Sequence, residues 1–213
     1  MNPNNLLTQI SQKQIPKEDL AAEIIAQPEN LPVLFEGLNA DKANTKYGCS
    51  KILQIISEKA PDLLYPQFDF FVSLLDSENN VFKWTSIFIL GKLTAVDQEN
   101  RFDAIFEKFF ALLADSVMIT AGNVVRAAAE IIKNKPALRP KIIEVLLKVE
   151  SATYQTEECR NVVLSHAIDT FTKIFPLIEN KAPVIRLVKN QLNNPRNGTR
   201  KRAEKFLRKF KIE

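Results

Sequence analysis

Apolar residues recur through most of this chain at intervals of three and four positions, the spacing that places side chains on one face of an α-helix. In the segment FKWTSIFILGKL, four apolar residues share one helical face: Phe82, Ile89, Leu90 and Leu93. Near the C-terminus the same spacing links Ala203, Phe206, Leu207 and Phe210. No stretch shows the strict alternation of apolar and polar residues that would predict a β-strand. The sequence therefore predicts an all-α fold.

Prolines and short polar turns divide the periodic segments into five pairs of predicted helices. Their bounds are 29–38 with 43–59, 64–75 with 79–95, 101–113 with 119–134, 140–149 with 156–175, and 182–192 with 199–210. Another helix is predicted from Pro16, where the missing N–H of proline costs nothing and Glu18 and Asp19 suit the positive end of the helix dipole. Residues 1–15 are predicted to be a polar lead-in or one short helix, followed by a single domain over residues 16–213.

The second helices of these pairs share an order of small, basic, aromatic and aliphatic residues. Aligning TKYGCSKILQII with FKWTSIFILGKL matches Lys46 with Lys83. The same alignment matches Tyr47 with Trp84. Basic landmarks for the five second helices differ in sequence number by 37, 43, 34 and 40 in turn: Lys46, Lys83, Arg126, Arg160 (or its neighbour Asn161) and Arg200. Periods of about 40 residues built from two helices are typical of HEAT or armadillo stacking.

The segments TKYGCSKILQII, FKWTSIFILGKL, VVRAAAEIIK and TRKRAEKFLRKF resemble the second helix of HEAT-like repeats, in which Val-Arg is followed by small residues and then Ala-Leu-Gly. The resemblance covers the chain from about residue 28 onward. It implies an α-solenoid, or superhelix, of about five antiparallel helix pairs, with the second helices lining a concave side. The family includes scaffolds, adaptors, transport receptors and a few nucleic-acid enzymes, so the motif is specific for architecture only.

Tyr47, Trp84 and Arg126 are the candidate contacts on the concave side that the resemblance implies. Trp84 lies roughly opposite Phe82 on its helix, which directs it away from the core stripe. Aromatic faces next to a cation can hold an extended peptide or stack on exposed bases. The structural alternative is that Trp84 is buried between repeats, because its helix is apolar nearly all round. The resemblance favours a protein or peptide as the partner.

Lys46 and Lys83 are further candidates on the same side. Their functional interpretation is a row of cations that faces a ligand. The structural alternative is that each pairs with an aspartate from a turn between helices, such as Asp41 or Asp76, and so aligns neighbouring repeats. Exposed pairs of this kind contribute only about 0–1 kcal/mol each.

Charge is distributed unevenly along the chain. Residues 181–213 carry 11 Lys and Arg against 2 Glu, whereas the segment 1–180 carries 18 basic and 23 acidic side chains. The last predicted helix holds the candidate anion-binding residues: Arg200, Lys201, Arg202, Lys205, Arg208 and Lys209. They indicate either a polar cap on a terminal repeat or a site for nucleic-acid phosphates or an anionic membrane surface.

Residue types that carry catalysis or metal binding are sparse. Cys49 and Cys159 lie far apart in the sequence and His166 is the single histidine, so the sequence predicts no metal site and two buried, reduced thiols. Asp169 lies one turn beyond His166, which permits a hydrogen-bonded pair, but no nucleophile is fixed beside them. The five glycines form no phosphate loop. We expect a non-enzymatic protein without a cofactor.

One enzyme family is an alternative on the basis of architecture alone. HEAT-like DNA glycosylases of the alkylpurine type are similar in size, and they use an acidic residue and aromatics in a basic concave groove. Trp84 and Asp115 are the loose counterparts here, but that motif is not matched residue by residue. The excess of acidic residues before residue 181 also argues against a uniformly basic groove.

Composition favours a soluble protein. Of 213 residues, 46% are hydrophobic and 25% charged, which is ordinary for a globular chain. No apolar run reaches the roughly 18 residues that a membrane span requires. The first residues, MNPNNLLTQISQKQ, lack the charged-then-apolar order of a secretory signal. We therefore expect a cytoplasmic protein.

Overall fold

The computed structural model describes residues 3–213, with side chains from residue 5 onward, and in that range it contains helices and turns but no β-strand. The all-α prediction is therefore confirmed. The described chain forms two compact units, one up to Glu99 and one from Asn100 to Glu213. The single domain over residues 16–213 stays a prediction. Within the described residues, no helix has the length and apolar character needed to cross a membrane.

The first unit is built from α1 (Pro3–Gln12), α2 (Lys17–Ala26), α3 (Leu31–Gly37), α4 (Ala43–Lys59), α5 (Phe68–Ser73) and α6 (Asn80–Leu93). The long helices α4 and α6 pack side by side, and α2 and α3 pack against α4. The predicted helix over 64–75 is shorter than expected, because 3-10 turns replace α-helix on both sides of α5, at Tyr65–Gln67 and Leu74–Asp76.

α1 is part of the packed core of the first unit. Its apolar residues Leu6 and Ile10 are only 1% and 3% exposed. The helix rests on α4, where Gly48 leaves room for the isoleucine side chain: a Cβ on Gly48 would overlap Cγ2 of Ile10. Burial of these side chains, rather than helix propensity, therefore holds a segment of mostly polar composition.

The second unit is built from α7 (Arg101–Ala104), α8 (Phe106–Ala111), α9 (Met118–Asn134), α10 (Arg139–Leu147), α11 (Glu157–Ile174), α12 (Ala182–Asn190) and α13 (Asn197–Phe210). The long helices α9, α11 and α13 lie side by side with α11 in the middle. Thr170 of α11 donates from Oγ1 to the carbonyl of Val125 at 2.9 Å. Thr199 of α13 donates to the carbonyl of Asn161 at 2.8 Å. These buried bonds tie the three helices into one layer.

The second helices begin at nearly constant intervals. Their first residues are Ala43, Asn80, Met118, Glu157 and Asn197, and each interval is longer by one position than the interval before it. Helices α4, α9 and α11 each end two residues before a proline, as the sequence predicts, because proline disfavours helical geometry at the preceding residue. Five predicted pairs are thus found in the positions that the pattern indicates.

The regular interval between second helices shows that one of the five basic residues, Arg126, was aligned incorrectly with the others. Four of the five basic landmarks are the fourth residue of their helix: Lys46, Lys83, Arg160 and Arg200. Arg126 is instead the ninth residue of α9, where the fourth is Ala121. The alignment at Arg126 was wrong because it matched residue type rather than position in the helix. Arg126 corresponds to Lys51 of α4 and Phe88 of α6.

Candidate functional site

Tyr47 of α4 is the aromatic residue that faces solvent, with 40% of its surface exposed. Its ring lies edge-on to Phe82 of α6, with ring centroids 6.2 Å apart and planes at 64°. Asn79, which precedes α6, donates from Nδ2 to the Tyr47 hydroxyl at 3.4 Å. The contact and the hydrogen bond hold the ring in place while part of it stays exposed, which is the arrangement of a pre-positioned aromatic anchor.

Further side chains of α4 and α6 contact one another beyond Tyr47. Gln54, two turns after Tyr47, donates from Nε2 to Oγ1 of Thr85 at 3.1 Å. Near the far end, Lys92 lies 3.5 Å from Glu58 Oε1, and its Nζ stands 5.5 Å from the Phe88 ring centroid. We define the α4–α6 surface by its exposed and half-buried side chains, Tyr47, Lys51, Gln54, Phe88 and Lys92; the buried Thr85 holds Gln54 in place.

Trp84 is less exposed to solvent than Tyr47. It is half-buried on α6. It follows Phe82 by two residues, or about 200° around the helix, so it lies on the side of α6 away from α4. The next equivalent position, the fifth residue of α9, is Gly122. The aromatic ladder therefore has no aromatic member in α9, and the binding roles of Tyr47 and Trp84 stay predictions.

The candidate lysines of the first unit are half-buried. Lys46 is the fourth residue of α4, and in residues 3–213 it forms no ion pair with Asp41. The alternative in which that aspartate fixes Lys46 therefore fails. Lys83 holds the same position in α6 and is covered to a similar degree.

Arg126 and His166 meet over Gly122 in the second unit. A Cβ placed on Gly122 would lie 3.2 Å from His166 Cδ2, 3.7 Å from its Nε2 and 3.9 Å from Arg126 Nη2. Arg126 is exposed, and its Nη2 donates to Oδ1 of Asn123 at 2.8 Å. The spacing permits a hydrogen bond between His166 and Asp169, but none is formed among the described residues; the Asp169 carboxylate lies 2.8 Å from Nε of Arg202.

The pKa of His166 is lower than usual for histidine. Burial of the imidazole is the main cause, and the positive charge of Arg126 adds to it. Asp169 acts in the opposite direction, while Arg202 and Arg196 lower the pKa further. The cations that act on the imidazole therefore come from α9, from α13 and from the turn before α13, and Asp169 of α11 opposes them.

The six anion-binding candidates of α13 separate into two groups. Arg200 donates from Nη1 to the carbonyls of Asn194 and Pro195, at 2.7 and 2.9 Å, so it fixes the preceding turn. Arg202 pairs with Asp169. The other four are exposed and form no ion pair within the part of the chain that is described: Lys201, Lys205, Arg208 and Lys209. Only this second group presents free charge to a ligand.

The cysteines and Asp115 are the remaining candidate residues, and their contacts indicate structural roles. Cys49 is buried, which raises the pKa of its thiol to about 12, whereas Cys159 is half-buried, so the expectation of two buried thiols holds only for Cys49. Asp115 accepts a hydrogen bond from the amide of Val117 at 2.7 Å and shapes the turn before α9. Between residues 3 and 213, no three His, Cys, Asp or Glu side chains are grouped as metal ligands would be.

Two solved structures share this arrangement of helices. One is an engineered protein solved by a structural genomics consortium, with a TM-score of 0.57 and 16% identity over 98% of this chain and 88% of that one. The other is a designed armadillo repeat protein, with a TM-score of 0.57 and 16% identity over 95% of this chain and 90% of that one. The architecture is an armadillo/HEAT-like helical repeat. The α-solenoid prediction is therefore confirmed.

An armadillo/HEAT-like repeat at this level of identity shows the fold alone. No family model and no curated protein matches the chain. The site must therefore be argued from its own residues. Sequence reasoning missed the supports of Tyr47, namely Phe82 and Asn79, and it missed the meeting of Arg126 with His166. The regular spacing of the second helices could have indicated the Tyr47 supports, because it places the start of α6 beside the start of α4.

Proposed function

We propose that this chain is a non-catalytic scaffold that binds an extended peptide segment of a partner protein along its second helices. The observation that carries the proposal is the exposed Tyr47 ring, held by Phe82 and by the Asn79 hydrogen bond. Tyrosine is among the residues that most often dominate protein interfaces. An armadillo/HEAT-like repeat supplies the extended surface that such a segment needs.

The polar groups beside Tyr47 suit the backbone of a peptide. The side-chain amide of Gln54 is held by Thr85 and by Lys51, whose Nζ donates to Gln54 Oε1 at 3.5 Å. One N–H of that amide and a lone pair of its oxygen remain for a ligand. A peptide that covers Tyr47 can therefore find hydrogen-bond partners two helical turns further along α4.

Peptides selected from a random display library against the intact protein provide the test. We expect Tyr47→Ala to weaken the selected peptides at least tenfold in fluorescence anisotropy, or about 1.4 kcal/mol, because truncation of an aromatic anchor removes its contact area. Tyr47→Phe should retain most of the affinity. Leu192→Ala is the matched control, since Leu192 is also an exposed apolar residue, at 37%, but lies outside the second helices.

Thermal unfolding separates binding from folding in this experiment. Because Tyr47 is exposed, its replacement by alanine should leave the melting temperature close to that of the parent protein. Selected peptides that bind Tyr47→Ala as tightly as the parent would exclude the α4–α6 surface as the peptide site.

A second function, nucleic-acid binding, is favoured by one observation: the four exposed cations of α13 that form no ion pair among the described residues.

Labelled single- and double-stranded oligonucleotides can be titrated at low and moderate salt. Neutralising Lys205 and Lys209 with glutamine should weaken binding and reduce the salt dependence by about two phosphate contacts. Neutralising Lys13 and Lys42, exposed lysines of the first unit, is the control. Identical binding by both variants, or no binding at low salt, would exclude α13 as a phosphate site.

A further inference from the structure

Arg126 and His166 come close to each other beside Gly122 in the second unit. Both side chains lie within 4 Å of the point where a Cβ on Gly122 would stand, so Arg126 Nη2 and His166 Nε2 are within about 8 Å of each other. One carboxylate can bridge two such nitrogens, because charged hydrogen bonds are about 2.7–2.9 Å long and its oxygens accept from different directions. Glycine at position 122 provides the space in which the imidazole lies.

Of the three arginines that act on His166, Arg126 is the one without a carboxylate partner among the described residues. Arg202 Nε lies 2.8 Å from Asp169 Oδ2, and Arg196 Nε lies 2.8 Å from Glu158 Oε1, so each of these two arginines has its own carboxylate. Arg126 bonds only to the neutral amide of Asn123 within the described residues. One cation therefore remains to be paired by a ligand.

His166 retains its full hydrogen-bonding capacity. Neither ring nitrogen has a hydrogen-bond partner within residues 3–213, although the ring is half-buried. A half-buried imidazole with free nitrogens beside a guanidinium without an ion pair can donate one N–H to an anion when neutral, and it gains a second N–H and a positive charge when protonated. The two side chains come from α9 and α11, which pack against each other directly.

We propose that Arg126 and His166 form a binding site for a single carboxylate of an acidic peptide. The proposal rests on the peptide-binding function, and it names the chemistry of the bound segment at this point of the second unit. Asp169 acts electrostatically on His166 and would repel a continuous row of phosphates. A discrete carboxylate, placed between Arg126 and His166, is therefore favoured over a nucleic-acid backbone.

The site predicts a definite pH dependence. In the free protein Arg126 of α9, Arg202 of α13 and Arg196, which precedes α13, oppose protonation of His166, while Asp169 of α11 favours it. A bound carboxylate stabilises the imidazolium, so binding raises the pKa of the ring and takes up a proton. Affinity should therefore increase as the pH falls from 7.5 to 5.5, a range in which glutamate side chains stay mostly ionised.

The experiment uses the intact chain and the NMR signals of His166, which are unambiguous because the protein contains one histidine. The probes are an acetylated hexaglutamate peptide and, as a plain dianion, sulfate. We expect hexaglutamate to move the ring signals saturably and to bind at least threefold more tightly at pH 5.5 than at pH 7.5. Arg126→Gln should weaken the hexaglutamate affinity at least fivefold. Arg186→Gln, which removes an exposed arginine of α12, should leave it unchanged.

Each outcome decides the proposal. Ring signals that do not respond to hexaglutamate, or that respond equally in Arg126→Gln, overturn it. A twelve-residue oligothymidylate that moves the signals when hexaglutamate does not also overturns it, in favour of a phosphate ligand. Sulfate that moves them when hexaglutamate does not restricts the site to small anions and overturns the peptide assignment.

The proposed function fails separately from this site. If selected peptides depend on Tyr47 but leave His166 unchanged, the carboxylate site alone is excluded. If His166 responds to hexaglutamate while no selected peptide depends on Tyr47, the α4–α6 surface is excluded and the carboxylate site remains.

Discussion

The two cysteines differ in burial, and therefore in the expected reactivity of their thiols. Cys49 lies in the core of the first unit, where its Sγ fills the space beside Gly37 that a Cβ would need. Burial raises the pKa of this thiol to about 12. Cys159 lies in the first turn of α11, half-buried, and its Sγ accepts a hydrogen bond from Oγ1 of Thr156 at 3.2 Å. Reaction with a thiol reagent depends on access and on the thiolate form.

We therefore predict that the two thiols react at very different rates. At pH 8 a thiol with a pKa of about 12 is ionised in roughly one molecule in ten thousand. A disulfide reagent should release one equivalent of chromophore from the native protein through Cys159, and the second only after unfolding in urea. Cys159→Ser should abolish the fast equivalent. A fast equivalent that persists in Cys159→Ser would contradict the burial of Cys49.

At the scale of single elements, α1 shows how one glycine determines a packing contact. Gly48 lies in the first half of α4, and Ile10 occupies the space in front of its Cα. Isoleucine is branched at Cβ and cannot move its Cγ2 away without a change of rotamer. The position of α1 therefore depends on the absence of a side chain at residue 48.

Gly48→Ala should destabilise the protein by about 1–3 kcal/mol, the usual cost of overpacking, in spite of the higher helix propensity of alanine. Urea unfolding monitored by circular dichroism measures the change. Gly198→Ala is the control, because a Cβ there meets only the ends of the long Arg196 and Arg202 side chains. A change in Gly48→Ala no larger than in the control would show that α1 does not rest on α4 in solution.

Helix positions were largely predictable because local signals agree with the packing. Apolar spacing marked the long second helices, and Pro61, Pro136 and Pro176 marked the ends of three of them. The first helices were less predictable, since 3-10 turns shorten α3 and α5 without a distinct sequence signal. Arg126 was misaligned for another reason: a basic residue at a helix surface is compatible with several positions along the helix.

At the scale of the whole molecule, each unit has its own packed interior. In the second unit, α11 packs against both α9 and α13. Repeats of this kind derive their stability from neighbouring repeats. Residues 1–99 and residues 100–213, produced separately, should therefore each give a helical circular dichroism spectrum, with an ellipticity per residue within about a fifth of the intact chain's, and unfold cooperatively. A random-coil spectrum from either fragment would contradict this prediction.

The candidate site was less predictable than the fold. Arg126, His166 and Arg202 are far apart in sequence, and they meet because α9, α11 and α13 lie side by side. Their charges were visible in the sequence, but their pairing depends on which faces of three helices adjoin. The same holds for Tyr47, whose contact with Phe82 depends on which faces of α4 and α6 adjoin.

The nearly equal intervals between second helices also have a mechanical meaning. A tether attached to the two ends of one unit would strain the contacts between its neighbouring helix pairs one after another, because those contacts join elements close in sequence. Each pair that detaches releases about 38 residues, or roughly 130 Å of extended chain. Under tension each unit should lengthen in a small number of nearly equal steps.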